Sequence, residues 1–185
     1  MDQIKKADEF AALHVKGEPV ILYNAWDAGS AKAIIGAGAK AIATSSWSVA
    51  AALGYKDGED LPLSLAEHVI RGIVTTVNVP VTVDFEGGYS DDDQKLASNI
   101  TKLLELGVIG INFEDRVVKG TGLYGIDRQA NALLRSAGQP SSEASPSSST
   151  LGLTCFSATA VTSRRHCEER RRTLELARPA FSSQG

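Results

Sequence analysis

The stretch that decides the fold is residues 79–115, VPVTVDFEGGYSDDDQKLASNITKLLELGVIGINFED. Its first eight residues predict a buried strand, because apolar residues dominate and a Gly-Gly pair follows. Residues 90–107 predict a helix, since acids stand where they favour the helix dipole and Gly107 ends the pattern. Residues 108–115 then predict another strand. The stretch therefore predicts one strand–helix–strand unit.

The same alternation continues towards the N-terminus. PVILYNAW (19–26) and AIATSS (41–46) predict strands, and helices are predicted at 6–17, at 28–40 and from an N-cap at Ser64. Strands that are apolar on both faces are typical of a parallel sheet covered by helices. Both a (β/α)8 barrel and an open doubly wound sheet fit this order. No G-x-G-x-x-G follows the first strand, which weakens the dinucleotide-binding interpretation.

Composition divides the chain into two segments. Residues 1–131 carry 12 Lys and Arg against 18 Asp and Glu, a net charge of −6. Residues 132–185 carry 7 Arg, no Lys and 4 Glu, a net charge of +3, together with 11 Ser. A shift this abrupt predicts a boundary, with one domain at 1–131 and a Ser/Arg-rich tail at 132–185.

Targeting and cysteine signals are sparse. The beginning MDQIKKADEF has no apolar core of a secretory leader, and no run approaches the 18 apolar residues of a membrane span. Cys155 and Cys167 have no metal-ligand or disulfide spacing pattern. We therefore expect a cytoplasmic protein with no membrane partner.

Polar residues gather where the predicted strands end. Asp84 and Glu86 lie two residues apart at one strand end, so both side chains point the same way, and Glu114 ends the next strand. Three converging carboxylates repel one another unless a cation lies between them, and hard oxygen ligands suit Mg²⁺ or Mn²⁺. Helix capping or pairing with lysines at the rim is the alternative interpretation.

Other polar and aromatic residues near the ends of the predicted strands each have two possible roles. Asp57 is either an acid/base near the metal or part of an Asp-Gly turn. Tyr23 and Trp47 either line a substrate pocket or pack at the rim. Gly87 and Gly88 either allow a close backbone approach or form a plain turn.

Three segments together resemble the isocitrate lyase/phosphoenolpyruvate mutase family. They are LYNAWDAGSAKAIIGAGAKAIATSSWSVAAALGYKDGEDLPL (22–63), VPVTVDFEGGY (79–89) and GVIGINFEDRVV with LYGIDRQA (107–118 and 123–130). The motifs occur in the family's order and cover about residues 8–130. The resemblance is closest to the carboxyphosphonoenolpyruvate phosphonomutase-like subgroup.

The resemblance implies a (β/α)8 barrel of which this chain holds the N-terminal half. It implies that Asp84, Glu86 and Glu114 bind Mg²⁺, that Asp57 lies near the metal, and that the segment 45–47 (Ser45, Ser46 and Trp47) contacts the substrate carboxylate. The implied reaction makes or breaks a C–C or P–C bond in a small α-keto or α-hydroxy acid, with the metal acting as a Lewis acid. Members of the family form homo-oligomers.

One departure bears on the type of reaction. True isocitrate and methylisocitrate lyases carry a K-K-C-G-H loop after the fourth strand, whereas this chain has EDRVVKGTGLYG (114–125). The thiol acid/base is missing, and Lys119 stays as the candidate catalytic residue of that loop. The departure favours the lyase/mutase-like subgroup over isocitrate cleavage.

The tail ASPSSSTLGLTCF (144–156) predicts a change of reading frame. The family continues with a fifth strand, commonly G-V-P-F-F-I-N-A-R-T-D, whose arginine grips the substrate anion. Codons for that strand, read one base out of frame, can encode the segments 145–149 and 150–156. A single-base loss near codon 131 would account for the tail, would leave an unpaired edge on the fourth strand, and would impair the enzyme.

Two alternatives to an active enzyme remain. The chain is either a non-catalytic fragment or a binding protein that uses the exposed sheet edge or the basic run RRHCEERRR (164–172). Nucleic acid is an unfavoured partner, because no aromatic residues interleave with that basic run.

Overall fold

The computed structural model describes residues 3–125 and the backbone of residues 154–156. The predicted tail at 132–185, with its basic run, otherwise lies outside the described residues. The elements in chain order are α1 Gln3–Ala12, β1 Tyr23–Ala25, α2 Ala28–Gly36, β2 Ile42–Thr44, α3 Ser46–Ala52, α4 Leu63–Thr76, β3 Val81–Asp84, α5 Asp93–Glu105, β4 Gly110–Asn112 and β5 Thr154–Phe156.

The strands form one parallel sheet in the order β1-β2-β3-β4-β5. This confirms the strand–helix alternation predicted from the sequence. The strands are only three or four residues long, shorter than the predicted segments, because the flanking residues leave the ladder to form loops.

The prediction of an unpaired edge on the sheet is wrong. The sequence predicts an unpaired edge on the fourth strand, but Gly110, Ile111 and Asn112 pair in parallel with Thr154, Cys155 and Phe156. The ladder satisfies backbone groups that would otherwise be exposed at that edge. The segment of the tail that corresponds to the family's fifth strand therefore lies in the place of a fifth strand.

The helices cover one face of the sheet, which separates the two folds that the sequence left open. Val83 and Ile111 pack with Ile70 of α4 and with Leu96 and Ile100 of α5. A second cluster joins strands β1, β2 and β3 to α2 and α4. A doubly wound sheet has helices on both faces, whereas the strands of a barrel have them on the outside only. The described residues therefore have the arrangement of part of a (β/α)8 barrel.

Side chains alternate along β3 and β4, and this alternation directs the polar residues inward. Val81 and Val83 face the helices, so Thr82 and Asp84 face the other side of the sheet. Asp84 pairs in register with Asn112, which places both on this inner face.

The amino-terminal end of the sheet is closed by α1. Phe10 is fully buried and clusters with Ala41, which precedes β2, and with Ile109, which precedes β4. The side-chain amide of Gln3 also donates to the carbonyls of Leu104 and Val108, at 2.9 and 2.8 Å. These contacts leave the carboxyl ends of the strands as the accessible end.

The start of α4 and the presence of α3 differ from the prediction. α4 begins at Leu63 after Pro62, so Ser64 lies inside the helix and is not its N-cap. Proline fixes φ near −65°, which suits the residue before a helix, and Pro62 has φ −56°. The segment after β2 contains the short helix α3, which the sequence did not predict.

Candidate active site

Asp84 lies at the end of β3 and is held by hydrogen bonds from the start of α3. The backbone N–H and the hydroxyl of Ser46 both donate to Oδ2 of Asp84, at 3.0 and 2.9 Å. The Asp84 N–H donates to Oγ1 of Thr44 at 3.0 Å. These bonds confine the Asp84 carboxylate, and they engage both Ser46 donors with a protein acceptor.

Glu86 and Glu114 are joined through the backbone. The N–H of Glu114 donates to the carbonyl of Glu86 at 2.7 Å, directly beyond the β3–β4 ladder. Glu86 is buried, at 6% exposure, and its backbone is left-handed with φ 48°. The two acids from neighbouring strands are therefore adjacent, as the sequence predicted.

The electrostatic field at this end is negative. Burial raises the pKa of Glu86 from its ordinary value to about 7, and the charges of Asp57, Glu59 and Asp84 add to that rise. Burial also raises the pKa of Glu114, with a contribution from Asp84 that Arg116 partly offsets. A cation placed among these groups would favour their ionised forms.

The direct convergence of the three carboxylates on one ion stays a prediction. Among residues 3–125, no three acidic, histidine or cysteine side chains form a ready group of metal ligands. Two of the carboxylate oxygens accept hydrogen bonds from the protein instead. Asp84 Oδ2 accepts from Ser46, and Glu86 Oε2 accepts from the N–H of Glu59.

The donor chemistry nevertheless fits a hard divalent cation. Carboxylate oxygens are the ligands of Mg²⁺ and Mn²⁺, and Mg²⁺ usually keeps several waters while one or two carboxylates bind it. Asp84, Glu86 and Glu114 lie at one end of the sheet, where burial and, to a lesser extent, neighbouring acidic groups raise the pKa of both glutamates. These residues therefore fit the ion without three direct protein ligands.

Asp57 lies in the predicted Asp-Gly turn, and its role as an acid/base near the metal stays a prediction. Asp57 is exposed and precedes Gly58, whose φ of 98° marks a turn that glycine favours. Its charge nevertheless raises the pKa of both Glu86 and Glu114, so it lies within electrostatic reach of the site.

The three predicted substrate contacts of segment 45–47 lie around the start of α3. The hydroxyl of Ser45 accepts from the N–H of Ser48 at 3.4 Å and caps the helix. Trp47 is 64% exposed and has its side chain available at this end of the sheet. Their contact with a substrate stays a prediction.

Tyr23 is not brought to the carboxylates. Tyr23 pairs in register with Ile42, and Ile42 pairs with Val81, three residues before Asp84. Because a strand rises about 3.3 Å per residue, Tyr23 lies about 10 Å from Asp84 along the strand direction, towards the amino end of the sheet. Ala25, two residues further along β1, faces the helices, so the alternation of side chains places Tyr23 on that face as well.

Lys119 lines a pocket whose walls do not include Asp84, Glu86 or Glu114. The pocket has a volume of about 190 Å³ and lies between the loop after β3 and the loop after β4. Its lining includes Glu59, Tyr89 and Tyr124. Lys119 is exposed, which suits a side chain that meets a ligand from solvent.

Gly87 and Gly88 lie in a turn, and side chains from other elements approach both of them closely. A Cβ on Gly88 would overlap Cδ1 of Leu96, and one on Gly87 would lie 2.7 Å from Cγ2 of Val118. Gly88 also has φ 84°. Side chains at these positions would push apart the loops that form the pocket.

Sequence reasoning missed Glu59, Tyr89 and Asn99. Glu59 bonds to the loop after β3, and buried Asn99 donates from Nδ2 to the carbonyl of Gly88 at 3.0 Å. Burial and the nearby carboxylates raise the pKa of Tyr89. The only available signal for Glu59 was an acid after an Asp-Gly pair, which is also typical of a plain turn.

No helix within the described part of the chain is long and apolar enough to cross a membrane.

Solved structures with this fold are similar to the described residues. A Burkholderia cenocepacia J2315 protein classed as a phosphonomutase is 41% identical with a TM-score of 0.70, covering 72% of this chain and 54% of that one. A phosphonopyruvate hydrolase, solved with oxalate and Mg²⁺, is 20% identical with a TM-score of 0.68, covering 74% of this chain and 48% of its own, and shows the fold alone.

Two Mycobacterium tuberculosis relatives, the uncharacterized proteins MT2054 and Rv1998c, are each 36% identical over 106 residues, which are 57% of this chain and 40% of theirs. The chain thus spans about half the length of these relatives and solved structures, or less. The family model described as phosphoenolpyruvate phosphomutase matches residues 10–145. The match covers well over half of the chain, and the protein belongs to the phosphoenolpyruvate phosphomutase family.

Proposed function

We propose that this chain supplies the metal-binding half of an Mg²⁺-dependent lyase or phosphonomutase-like enzyme, in which Mn²⁺ can replace Mg²⁺. Its substrate is a small α-keto or α-hydroxy carboxylate, and its reaction cleaves or forms a C–C or P–C bond. The observation that carries the proposal is the 2.7 Å bond from the Glu114 N–H to the Glu86 carbonyl, because it joins acids of adjacent strands beside Asp84.

The residues of the chain have distinct roles in this proposal. Asp84, Glu86 and Glu114 hold the metal ion, and the two Ser46 donors orient Asp84. When bound, the ion supplies Lewis-acid polarisation of the substrate oxygen. Asp57 holds or moves a proton at its carboxylate close to these acids, and Lys119 donates to the substrate from the loop after β4.

The substrate class rests on the loops and on similar proteins. Ser45 and Trp47 lie at the end of the sheet where the carboxylates stand, which suits contact with a small acid. The phosphonopyruvate hydrolase structure contains oxalate, a small dicarboxylate, with Mg²⁺. A dimethylmalate lyase of the same fold, 19% identical with a TM-score of 0.63, has a name that denotes a hydroxy-dicarboxylate.

The test combines metal binding and turnover on the purified chain. We expect Mn²⁺ titration by electron paramagnetic resonance to show saturable binding that Asp84→Asn abolishes. Phosphonopyruvate, followed by ³¹P NMR, and dimethylmalate, followed by release of keto acid, test cleavage of P–C and C–C bonds. Equal Mn²⁺ binding by the parent and Asp84→Asn would contradict the proposal.

A second candidate is a fragment with impaired catalysis. β5 consists of Thr154, Cys155 and Phe156, and none of these is the arginine that the family resemblance places in the fifth strand. We infer that turnover by this chain is weaker than its metal binding suggests. Restoring one base near codon 131 in the nucleotide sequence should open a frame that continues the barrel; if no such frame exists, the frameshift proposal fails.

A further inference from the structure

Glu59 links the loop before α4 to the loop after β3. Oε1 of Glu59 accepts the N–H of Tyr89 at 2.7 Å, while the Glu59 N–H donates to Oε2 of Glu86 at 3.0 Å. One residue therefore bonds through its side chain and its backbone to two positions, three residues apart, on the same loop.

The linked residues share a backbone conformation that L-residues seldom adopt. Glu59, Glu86 and Tyr89 have φ values of 58°, 48° and 61°, and they are the only non-glycine residues with positive φ among those described. Such conformations cost about 1–2 kcal/mol each and persist only where the surroundings enforce them. The two hydrogen bonds of Glu59 connect all three positions.

The surrounding packing leaves little freedom for this link. A Cβ on Gly87 would lie 3.2 Å from Oε1 of Glu59 and 2.7 Å from Cγ2 of Val118. The ring of Tyr89 also packs on Phe85, with ring centroids 5.5 Å apart. The Glu59 carboxylate is therefore held against the loop, which fixes the position of its own backbone N–H.

We propose that Glu59 is a positioning residue for Glu86: its carboxylate anchors the loop after β3 at Tyr89, and its N–H sets the direction of the Glu86 carboxylate. The inference rests on the proposed function, in which Glu86 helps to hold the divalent cation. Partners that orient metal-binding residues commonly change metal affinity by about 10–100-fold when they are removed.

The test compares three variants of the full chain. Glu59→Ala removes the acceptor for Tyr89, and Glu59→Gln keeps an oxygen acceptor without the charge. Asp60→Ala is the matched control, since Asp60 accepts the Lys56 N–H at 3.3 Å in the same loop and its replacement removes the same charge. Mn²⁺ affinity is measured by electron paramagnetic resonance, and exchange of the Tyr89 amide is measured in the metal-free protein.

We expect Glu59→Ala to weaken Mn²⁺ binding by about 10–100-fold and to speed exchange of the Tyr89 amide. Glu59→Gln should restore both values towards those of the parent, and Asp60→Ala should change neither. A purely structural role would lower the unfolding midpoint without changing the Mn²⁺ affinity of the folded protein. Should Glu59→Ala not fold, Glu59→Gly replaces it, because glycine relieves the positive φ.

The outcomes separate the two proposals. If the parent binds Mn²⁺ and Glu59→Ala binds it as tightly, the positioning role is overturned and the metal site stands. If Glu59→Ala and Asp60→Ala weaken binding equally, the effect is one of charge alone and the positioning role is again overturned. If the parent binds no Mn²⁺, the proposed function fails and the positioning role falls with it.

Discussion

The two ends of the sheet are built differently. At the amino end, Phe10, Ala41 and Ile109 are at most 3% exposed and join α1 to the strands by apolar contact. At the carboxyl end, Glu86 is also buried but carries an ionisable group, and its backbone is left-handed. Apolar burial stabilises the first end, whereas the second holds charge and strain that the folded state must offset.

The largest expected effect tests the amino end. Phe10→Ala should lower the free energy of unfolding by about 3–5 kcal/mol, because it removes a fully buried aromatic ring. Urea unfolding measures the loss. The Mn²⁺ affinity of the folded protein should not change, so a parallel loss of affinity would show that the two ends are coupled.

The next effect tests the close approach at the carboxyl end. Gly88→Ala and Gly38→Ala both place a Cβ on a backbone of positive φ, 84° and 99°, at a cost of about 1–2 kcal/mol. Of these two, only the Cβ at residue 88 meets another group, Leu96, which adds about 1–3 kcal/mol. Equal unfolding free energies for the two variants would contradict the close approach of residue 88 to Leu96.

A smaller effect concerns the support of Asp84. Ser46→Ala removes the hydroxyl bond to Asp84 Oδ2 and should weaken Mn²⁺ binding about tenfold, since a support of a metal carboxylate is lost. Ser45→Ala is the control, because that hydroxyl bonds to the Ser48 N–H instead. Equal affinities in the two variants would refute a role of the Ser46 hydroxyl.

The smallest effect tests a helix cap outside both ends. Asp27 caps α2 by accepting the Ser30 N–H at 2.6 Å, and Asp27→Ala should cost about 1 kcal/mol at neutral pH. The same bond holds the pKa of Asp27 below its ordinary value of 3.8. The stabilisation is therefore present above pH 3.8 and is lost as pH falls through the folded-state pKa.

Thermal unfolding across this pH range measures the change. The difference between the parent and Asp27→Ala should shrink on acidification, while Asp27→Asn, which retains a capping oxygen, should stay close to the parent at neutral pH. A difference that does not depend on pH would exclude the carboxylate as its source.

Long, capped and periodic segments were predictable from the sequence. The helix predicted at 90–107 is α5, which Asp92 caps by accepting the Lys95 N–H at 2.8 Å and which Gly107, at φ 95°, follows. The short helix α3 was missed, because seven residues give too little periodicity to separate a helix from a loop. Strand ends were also misjudged, since pairing with neighbours decides where a ladder stops.

The candidate site, too, could be predicted from the sequence only in part. The sequence placed Asp84, Glu86 and Glu114 together, because parallel strands bring their carboxyl ends to one edge. It also placed Tyr23 there, although the register sets Tyr23 about 10 Å lower along the sheet. Register depends on contacts between distant segments, and no local pattern reports it.

The sequence by itself determined the strand–helix alternation, the capped α5 helix and the residue types of a hard-cation site, since each follows from local spacing and composition. Only the tertiary structure decided that the helices share one face, that Thr154–Phe156 extends the sheet beside β4, and that Glu59 holds both Glu86 and the Tyr89 amide. The last two of these features join residues 27 or more positions apart, and such contacts form only when the packed core sets the distance between segments.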